Sequence, residues 1–162
     1  MPWYQKKITS GGLIEDEIYY SRRTCGKKIP RCKNENATDE EQNKRNYINS
    51  MRTMLRKFHA NFGSDDIFAT LDFAKEPKSY EEAMRILKNF LQRVRRWLKN
   101  HGLPTLKYIA VVEDDETRLH IHIVMTGMSM DGITKLWTCG FAQLEHLNVE
   151  KHYSELTNYM SK

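Results

Sequence analysis

The sequence has few cysteines and no long hydrophobic run, and these absences exclude several classes of protein. Its three cysteines, Cys25, Cys32 and Cys139, are an odd number without close metal-binding spacing. We therefore expect reduced thiols rather than a disulfide scaffold. No apolar run approaches the roughly 18 residues of a membrane span, and the first residues lack the apolar stretch of a secretory signal. A soluble cytoplasmic protein with no membrane partner is expected.

The composition is that of a globular protein. The chain has 162 residues, of which 40% are hydrophobic and 29% charged. This length suits one domain of ordinary size, which can bury roughly two-thirds of its unfolded surface without a disulfide or metal.

Charge is distributed unevenly along the chain. The whole sequence carries 26 basic and 21 acidic residues, a formal charge of +5. Residues 74–107 are strongly basic, whereas residues 108–162 are acidic, with eight Asp or Glu against four Lys or Arg. Basic surfaces attract an anionic polymer, and the acidic third would repel it unless a cation such as a divalent metal lies there.

The pattern of helix and strand signals predicts an α+β fold. Capping boxes at residues 38–41 and 79–82 predict two long helices, the first ending at Gly63 and the second at His101. A short strand is expected at residues 15–20, and from Ile67 the order is strand, helix, strand, strand, helix, strand, helix. This order predicts a ferredoxin-like split βαβ antiparallel sheet with helices on one face. The expected ranges are 67–73, 79–101, 108–113, 118–126, 131–138, 141–147 and 153–161.

An N-terminal helix and a basic arm complete the predicted organisation. Residues 1–37 are expected to form a basic arm, or a small extension of strand and loop, and residues 38–162 the main domain.

Two histidines on one predicted strand are the sharpest chemical feature. His120 and His122 project from the same face because strand side chains alternate. Two neighbouring imidazoles suit a divalent metal, and Glu113 ends the partner strand of the predicted hairpin. Such a set leaves coordination positions open for water and a phosphate oxygen. The tripeptide His120-Ile121-His122 is equally compatible with two half-buried polar residues that bind no metal. Glu113 is likewise compatible with a solvated residue of the turn.

A tyrosine near the end of the chain is a candidate nucleophile. Tyr159 and Lys162 are three residues apart and share a face of the predicted last helix. A phenol can act as a nucleophile when a cation stabilises it or the phosphate that it attacks. The same tyrosine could instead pack its ring against the sheet. Tyr153 lies about 240° away around the helix, so one catalytic tyrosine is expected rather than two.

Three stretches, taken in this order, resemble the motifs of the HUH endonucleases. Residues 68–72 resemble the first motif of that superfamily, Glu113 with residues 118–122 its metal motif, and residues 158–162 its nucleophile motif. The sequence looks closest to rolling-circle replication initiator (Rep) proteins of bacterial plasmids and phages, over residues 38–162. Members of the family usually continue past the nucleophile motif, so a nuclease domain cut from a longer protein is expected.

The resemblance implies a function and a site. It implies metal-dependent nicking and joining of single-stranded DNA through a 5′-phosphotyrosine intermediate, which initiates rolling-circle replication. Tyr159 would be the nucleophile and Lys162 an electrostatic helper. His120, His122 and Glu113 would hold Mg²⁺ or Mn²⁺, although Asp72, Asp114 and Glu116 remain alternatives for the third ligand.

The resemblance also implies partners. These are single-stranded or hairpin origin DNA and the replication machinery of a bacterial host, in whose cytoplasm the protein would act. The basic second long helix and the arm are candidates for holding the DNA backbone, through the arm residues Arg22, Arg23, Lys27, Lys28, Arg31 and Lys33.

Two other functions remain open on the sequence. One is a single-tyrosine transposase or relaxase of a mobile element, with the same chemistry. The other is an RNA- or single-stranded-DNA-binding module on the same sheet. A module of that kind carries exposed aromatic residues on its central strands, where this sequence has histidines, a carboxylate and aliphatic residues.

Overall fold

The computed structural model describes residues 3–21, 39–114 and 118–156, together with the backbone of residues 157–161. The chain divides into two compact units, Met1–Ala60 and Asn61–Lys162. The elements in chain order are β1 (Trp3–Ser10), β2 (Leu13–Tyr20), α1 (Asp39–Asn61), β3 (Ile67–Asp72), α2 (Tyr80–Asn100), β4 (Tyr108–Asp114), β5 (Leu119–Met125), α3 (Met130–Leu136), β6 (Ala142–His146) and α4 (Val149–Ser161).

The first unit contains an antiparallel hairpin and a long helix. Strands β1 and β2 pair from Trp3 opposite Tyr20 to Ser10 opposite Leu13. Their turn contains Gly11 at a φ of 56°, where a Cβ atom would collide with the backbone carbonyl of His59 in α1. The strand predicted at residues 15–20 is confirmed as part of β2. Strand β1 was not predicted, because its alternation is masked by polar residues on both faces.

The second unit is built on a four-stranded sheet. Its strand order is β4-β5-β3-β6, and every neighbouring pair is antiparallel. Two β-strand–helix–β-strand halves interleaved in this way give the split βαβ arrangement, so the predicted fold class is confirmed. Strand β6 lies at an edge of the sheet, as its sequence pattern predicts.

One face of this sheet carries the hydrophobic core. Helix α2 begins after Ser79, whose side chain accepts a hydrogen bond from the backbone N–H of Glu82, as its capping box predicts. Its apolar face packs with α3 on the strands. The central buried side chains are Leu71, Phe90, Val94, Ile121, Ile123 and Ile133.

Helix α4 differs from the predicted layout. The ring of His152 in α4 stacks on Phe68 of β3, with centroids 4.3 Å apart and planes nearly parallel. Phe68 alternates with Ile67 and Ala69, which belong to the core, so α4 lies on the face opposite that core. Helices α2 and α3 share one face as expected, whereas α4 does not, because the second face carries apolar residues of its own that need cover.

Helix α4 also begins earlier than predicted, at Val149. The side chain of Asn148 caps it by accepting a hydrogen bond of 3.0 Å from the backbone N–H of Lys151.

Some predictions fall outside the described residues. These are the domain boundary at residue 37, Glu116 as an alternative third metal ligand, and the arm residues Arg22, Arg23, Lys27, Lys28, Arg31 and Lys33. Within the described ranges, no helix has the length and apolar character needed to cross a lipid bilayer.

Candidate functional site

The histidine pair lies on the face of the sheet opposite the core. Strand β5 sends Ile121 and Ile123 into the core, so His120 and His122 project from the other face, as the alternation predicts. Their ring centroids are 6.5 Å apart. In the sheet, His120 pairs with Asp72 of β3 on one side and Glu113 of β4 on the other.

Asp72 binds the ring of His120. Its Oδ1 atom lies 2.6 Å from Nδ1 of His120. The backbone of Asp72 is held on both sides, since its N–H donates to the carbonyl of Phe141 at 2.9 Å and its carbonyl accepts from the indole N–H of Trp137 at 3.1 Å. Gly140 allows this approach, because a Cβ atom there would collide with the Asp72 carbonyl. The carboxylate is therefore placed by a rigid backbone.

His122 is buried and bonded at both ring nitrogens. Its Nε2 atom lies 3.0 Å from Oε2 of Glu113, and its Nδ1 atom lies 3.2 Å from the hydroxyl of Thr70. Only 6% of His122 and 7% of Glu113 is exposed. Burial lowers the pKa of His122, although the carboxylate of Glu113 opposes this shift. A lowered pKa favours the neutral form of the ring, which is the form that binds metals.

Three rings in a row connect this histidine to α4. The ring of Phe68 stacks on that of His122 with centroids 6.2 Å apart, and on that of His152 with centroids 4.3 Å apart. His152 is 1% exposed, accepts a hydrogen bond at Nδ1 from the backbone N–H of Asn148 at 3.0 Å, and has Nε2 3.3 Å from Glu145. With Nδ1 as acceptor, the neutral ring carries its proton on Nε2 and donates it to Glu145. His152 therefore docks α4 beside the histidine pair.

The phase of α4 brings position 159 to this docked face. His152 and Leu156 are the fully buried residues among the described side chains of α4, one turn apart. Position 159 follows His152 by seven residues, which is about two turns, so it returns to nearly the same face. The charge of Glu155, one position before Leu156, opposes in small part the lowering of the His122 pKa by burial, so this turn of α4 lies near the histidine pair. The side chain of Tyr159 and all of Lys162 lie outside the described part of the chain.

Sequence reasoning missed several contacts at this site. Phe68 and Thr70 were recognised only as part of the first motif, residues 68–72, and Glu145 and His152 were given no part in the site. His152 is instead buried against the sheet, where it stacks on Phe68. The signal for the β3 residues was present, because Phe68, Thr70 and Asp72 alternate with the core residues of that strand.

Imidazole nitrogens and carboxylate oxygens are donor types that bind divalent cations, but the side chains are not positioned around a common point. Within the described residues, no group of three or more His, Cys, Asp or Glu side chains is arranged to hold a metal ion. The 3.0 Å between His122 Nε2 and Glu113 Oε2 does match the roughly 3 Å between adjacent octahedral ligands at about 2.1 Å from an ion. The Asp72 contact holds Nδ1 of His120, in the way that a carboxylate often orients a metal-binding imidazole.

The fold and this face define an α+β protein whose polar residues gather on the sheet surface opposite its core. A family model described as replication-associated protein ORF2/G2P matches residues 66–162, from the residue before β3 to the end of the chain. The match covers more than half of the sequence, and the chain belongs to this family. No curated protein and no solved structure matches the chain. Membership of the family indicates a role in DNA replication as a Rep-type protein.

Proposed function

We propose that the protein is an HUH-type endonuclease that nicks and rejoins single-stranded DNA to initiate rolling-circle replication of a plasmid or phage. The observation that carries this proposal is the docking of α4, through the stack of His152 on Phe68, beside the histidine pair of β5. The helix that bears Tyr159 and the strand that bears His120 and His122 thus share one face of the sheet.

The histidines and Glu113 are the proposed ligands of Mg²⁺ or Mn²⁺. A bound divalent ion would polarise the scissile phosphate and offset the charge of its transition state. His122 suits a ligand because burial keeps its ring neutral, and His120 because Asp72 orients its ring from the Nδ1 side. Glu113 is preferred over Asp72 as third ligand, since Glu113 contacts a Nε2 atom. Asp114 is exposed and serves less well.

Tyr159 is the proposed nucleophile. Its phenolic oxygen attacks the scissile phosphorus, the bond to the 3′ oxygen breaks, and a 5′-phosphotyrosine and a free 3′-hydroxyl result. The phenolic proton passes to the leaving oxygen or to water. One phosphodiester replaces another, so attack by a later 3′-hydroxyl can reverse the step and rejoin a strand. Lys162 is proposed as the cation that stabilises the phenolate or the attacked phosphate.

The experiment is a search for the covalent intermediate. The protein is incubated with labelled single-stranded or hairpin oligonucleotides from its replicon and Mn²⁺, and resolved on a denaturing gel. We expect a protein–DNA band that is absent with EDTA and absent in Tyr159→Phe, whereas Tyr153→Phe retains it. An adduct of equal yield in Tyr159→Phe would refute the proposed nucleophile.

Two other functions are tested by the same gel. A single-tyrosine transposase or relaxase would form the same adduct, but on the end sequences or transfer origin of a mobile element. A binding module would bind the oligonucleotides tightly and form no adduct with any metal. The bonded histidines of β5, with their carboxylate partners on β3 and β4, favour the enzyme over the module.

A further inference from the structure

The hairpin of the first unit has two faces of different character. Because side chains alternate along each strand, Glu15 and Glu17 share an inner face. They form ion pairs with Arg56 and Arg52, so α1 covers this face. Every residue of the other, outer face is exposed. That outer face consists of Trp3, Gln5, Lys7, Thr9, Ile14, Asp16, Ile18 and Tyr20.

The outer face exposes large apolar side chains. Trp3 is 71% exposed, Ile18 68% and Ile14 62%. Three such side chains among the eight positions of one sheet face expose more apolar surface than single scattered residues do, and such surfaces mark interaction sites. The hairpin lies outside residues 66–162, which the family model matches, so the family assigns this face no role.

The charges of the outer face indicate which partner it fits. Its charged residues are one cation and one anion, Lys7 and Asp16, which are directly opposite each other on the two strands. The side-chain nitrogen of Gln5 lies 3.0 and 2.8 Å from the two carboxylate oxygens of Asp16 and orients them. A balanced pair does not suit a polyanion, and a lipid bilayer would have to desolvate both charges. A protein face of complementary charge suits it better.

A second copy of the same face supplies that complement. Two sheets that pack face to face lie about 10 Å apart. A two-fold axis midway between the sheets and parallel to the strands places β1 of each copy over β2 of the other, at the same level along the strands. Because Lys7 and Asp16 share one level of the hairpin, Lys7 of each copy then faces Asp16 of the other. The same packing covers the exposed apolar side chains of both copies.

We propose that the outer face of the β1–β2 hairpin joins two copies of the chain around such a two-fold axis, with Lys7 of each copy paired to Asp16 of the other. Eight residues of each copy form a small interface, so the association is reversible, with a Kd of about 1–100 µM. The dimer requires neither a metal nor Tyr159, and it does not depend on the proposed nicking.

The test is sedimentation velocity of the full chain, in EDTA, at concentrations that span the expected Kd. The unaltered protein should pass from monomer to dimer. Lys7→Glu and Asp16→Lys should each raise the Kd about tenfold or more, because each brings like charges together twice in one dimer. Lys88→Glu is the matched control, since Lys88 is an exposed lysine of α2 and the change in net charge is the same. We expect it to dimerise as the unaltered protein does.

Mixing the two charge variants tests the axis itself. In a mixed pair, each altered position of one copy faces the altered position of the other, so opposite charges meet again at both contacts. An equal mixture of Lys7→Glu and Asp16→Lys should therefore form dimers, although neither variant does so alone at that concentration. The double variant Lys7→Glu/Asp16→Lys should recover in the same way. A variant whose hairpin no longer folds would not be rescued by mixing.

The apolar part of the face has its own variant. Trp3→Ala removes the most exposed of the three apolar side chains and should raise the Kd about tenfold or more. A monomer at every concentration would overturn the proposal and leave the face to a partner of another kind. A dimer that is unchanged by Lys7→Glu and Trp3→Ala would place the contact elsewhere on the chain. A mixture that stays monomeric would exclude the two-fold pairing of Lys7 with Asp16.

Discussion

The two faces of the four-stranded sheet are made by the same strands, yet they carry different chemistry. On one face, Leu71, Ile121 and Ile123 pack against α2 and α3 in a dry core. On the other, the hydroxyl of Thr70 bonds to His122, and His120 and His122 each bond to a carboxylate. The period of two in a strand separates the residues that stabilise the fold from those available for chemistry.

The polar face is itself divided along the strands. Near the start of β3 it is apolar, where Phe68 and Val124 are buried and His152 covers Phe68. Near the end of β3 it is polar, where Asp72 meets His120. A helix docked on the apolar part can therefore extend towards the polar part without burying it, which suits a site that admits a substrate.

The largest expected effect is a loss of stability from a residue packed in the core, on the face of the sheet that α2 and α3 cover. Phe90 is fully buried and meets the ring of Trp137 edge to face. Phe90→Ala should lower the free energy of unfolding by about 3–5 kcal/mol, through lost burial and a cavity. Urea denaturation measures this, with Phe141→Ala as control, since Phe141 is 69% exposed. A loss below about 1 kcal/mol would contradict the assignment of this face as the main source of stability.

A smaller effect is expected for Asp72 on the polar face. If Asp72 orients His120 from the Nδ1 side, Asp72→Asn should weaken Mn²⁺ binding by about 10- to 100-fold and change stability little. Glu113→Gln, which removes a proposed ligand, should weaken it more. Titration of free Mn²⁺ by electron paramagnetic resonance measures both. The reverse ranking of the two variants would make Asp72 the ligand and Glu113 its support.

Loss of the stacking of His152 on Phe68 is expected to slow adduct formation without changing the affinity for Mn²⁺. His152→Gln keeps the polar contacts and loses the ring, so α4 shifts and adduct formation should slow by about tenfold. His152→Phe keeps the stack and should recover part of the rate. Mn²⁺ affinity should stay unchanged in both, because the proposed ligands lie on the strands.

The control for this pair is His146→Ala, since His146 is exposed at the end of β6. A parallel loss of Mn²⁺ affinity in the His152 variants would mean that the stack supports His122 rather than the position of the helix.

The smallest effect expected is a pH dependence at the edge of the polar face. Hydrogen bonds from Lys151 and then from His152 lower the pKa of Glu145 below its ordinary value. A lowered carboxyl pKa contributes stability above the pKa of the unfolded chain, and this is lost as pH falls through the folded value.

Glu145→Gln should therefore lose less stability than the unaltered protein between about pH 5 and about pH 3. The difference should stay below about 1 kcal/mol, because the side chain is 40% exposed and solvent screens its ion pair. Urea unfolding at both pH values measures it, with Glu150→Gln in the exposed first turn of α4 as control. Identical pH profiles for Glu145→Gln and the unaltered protein would exclude this contribution.

Most of the second unit could be predicted from local signals. The capping box at Ser79 set the start of α2, and the alternation around His120 predicted which side chains share a face. The position of α4 could not be predicted in this way. Its contact between His152 and Phe68 joins residues far apart in sequence, and a lone histidine gives no periodic signal.

The sequence predicted which residues form the candidate site, but not which of them are hydrogen-bonded to each other. The pairing of Glu113 with His122 rather than with its direct cross-strand neighbour His120 depends on the rotamers of two buried side chains. The role of Asp72 depends on the approach of Gly140 and Trp137 to the end of β3, which brings together segments about 65 residues apart. The β1 strand was missed because polar residues on both of its faces hide the alternation that marks a strand.

The order of helices and strands from Ile67 onward, and the common face of His120 and His122, follow from local signals, because both depend on the periods of backbone geometry. Which carboxylate meets which imidazole, and the position of α4 on the histidine side of the sheet, depend on the folded chain. Those contacts depend on how distant segments pack, and packing is a property of the whole fold rather than of any one stretch of the chain.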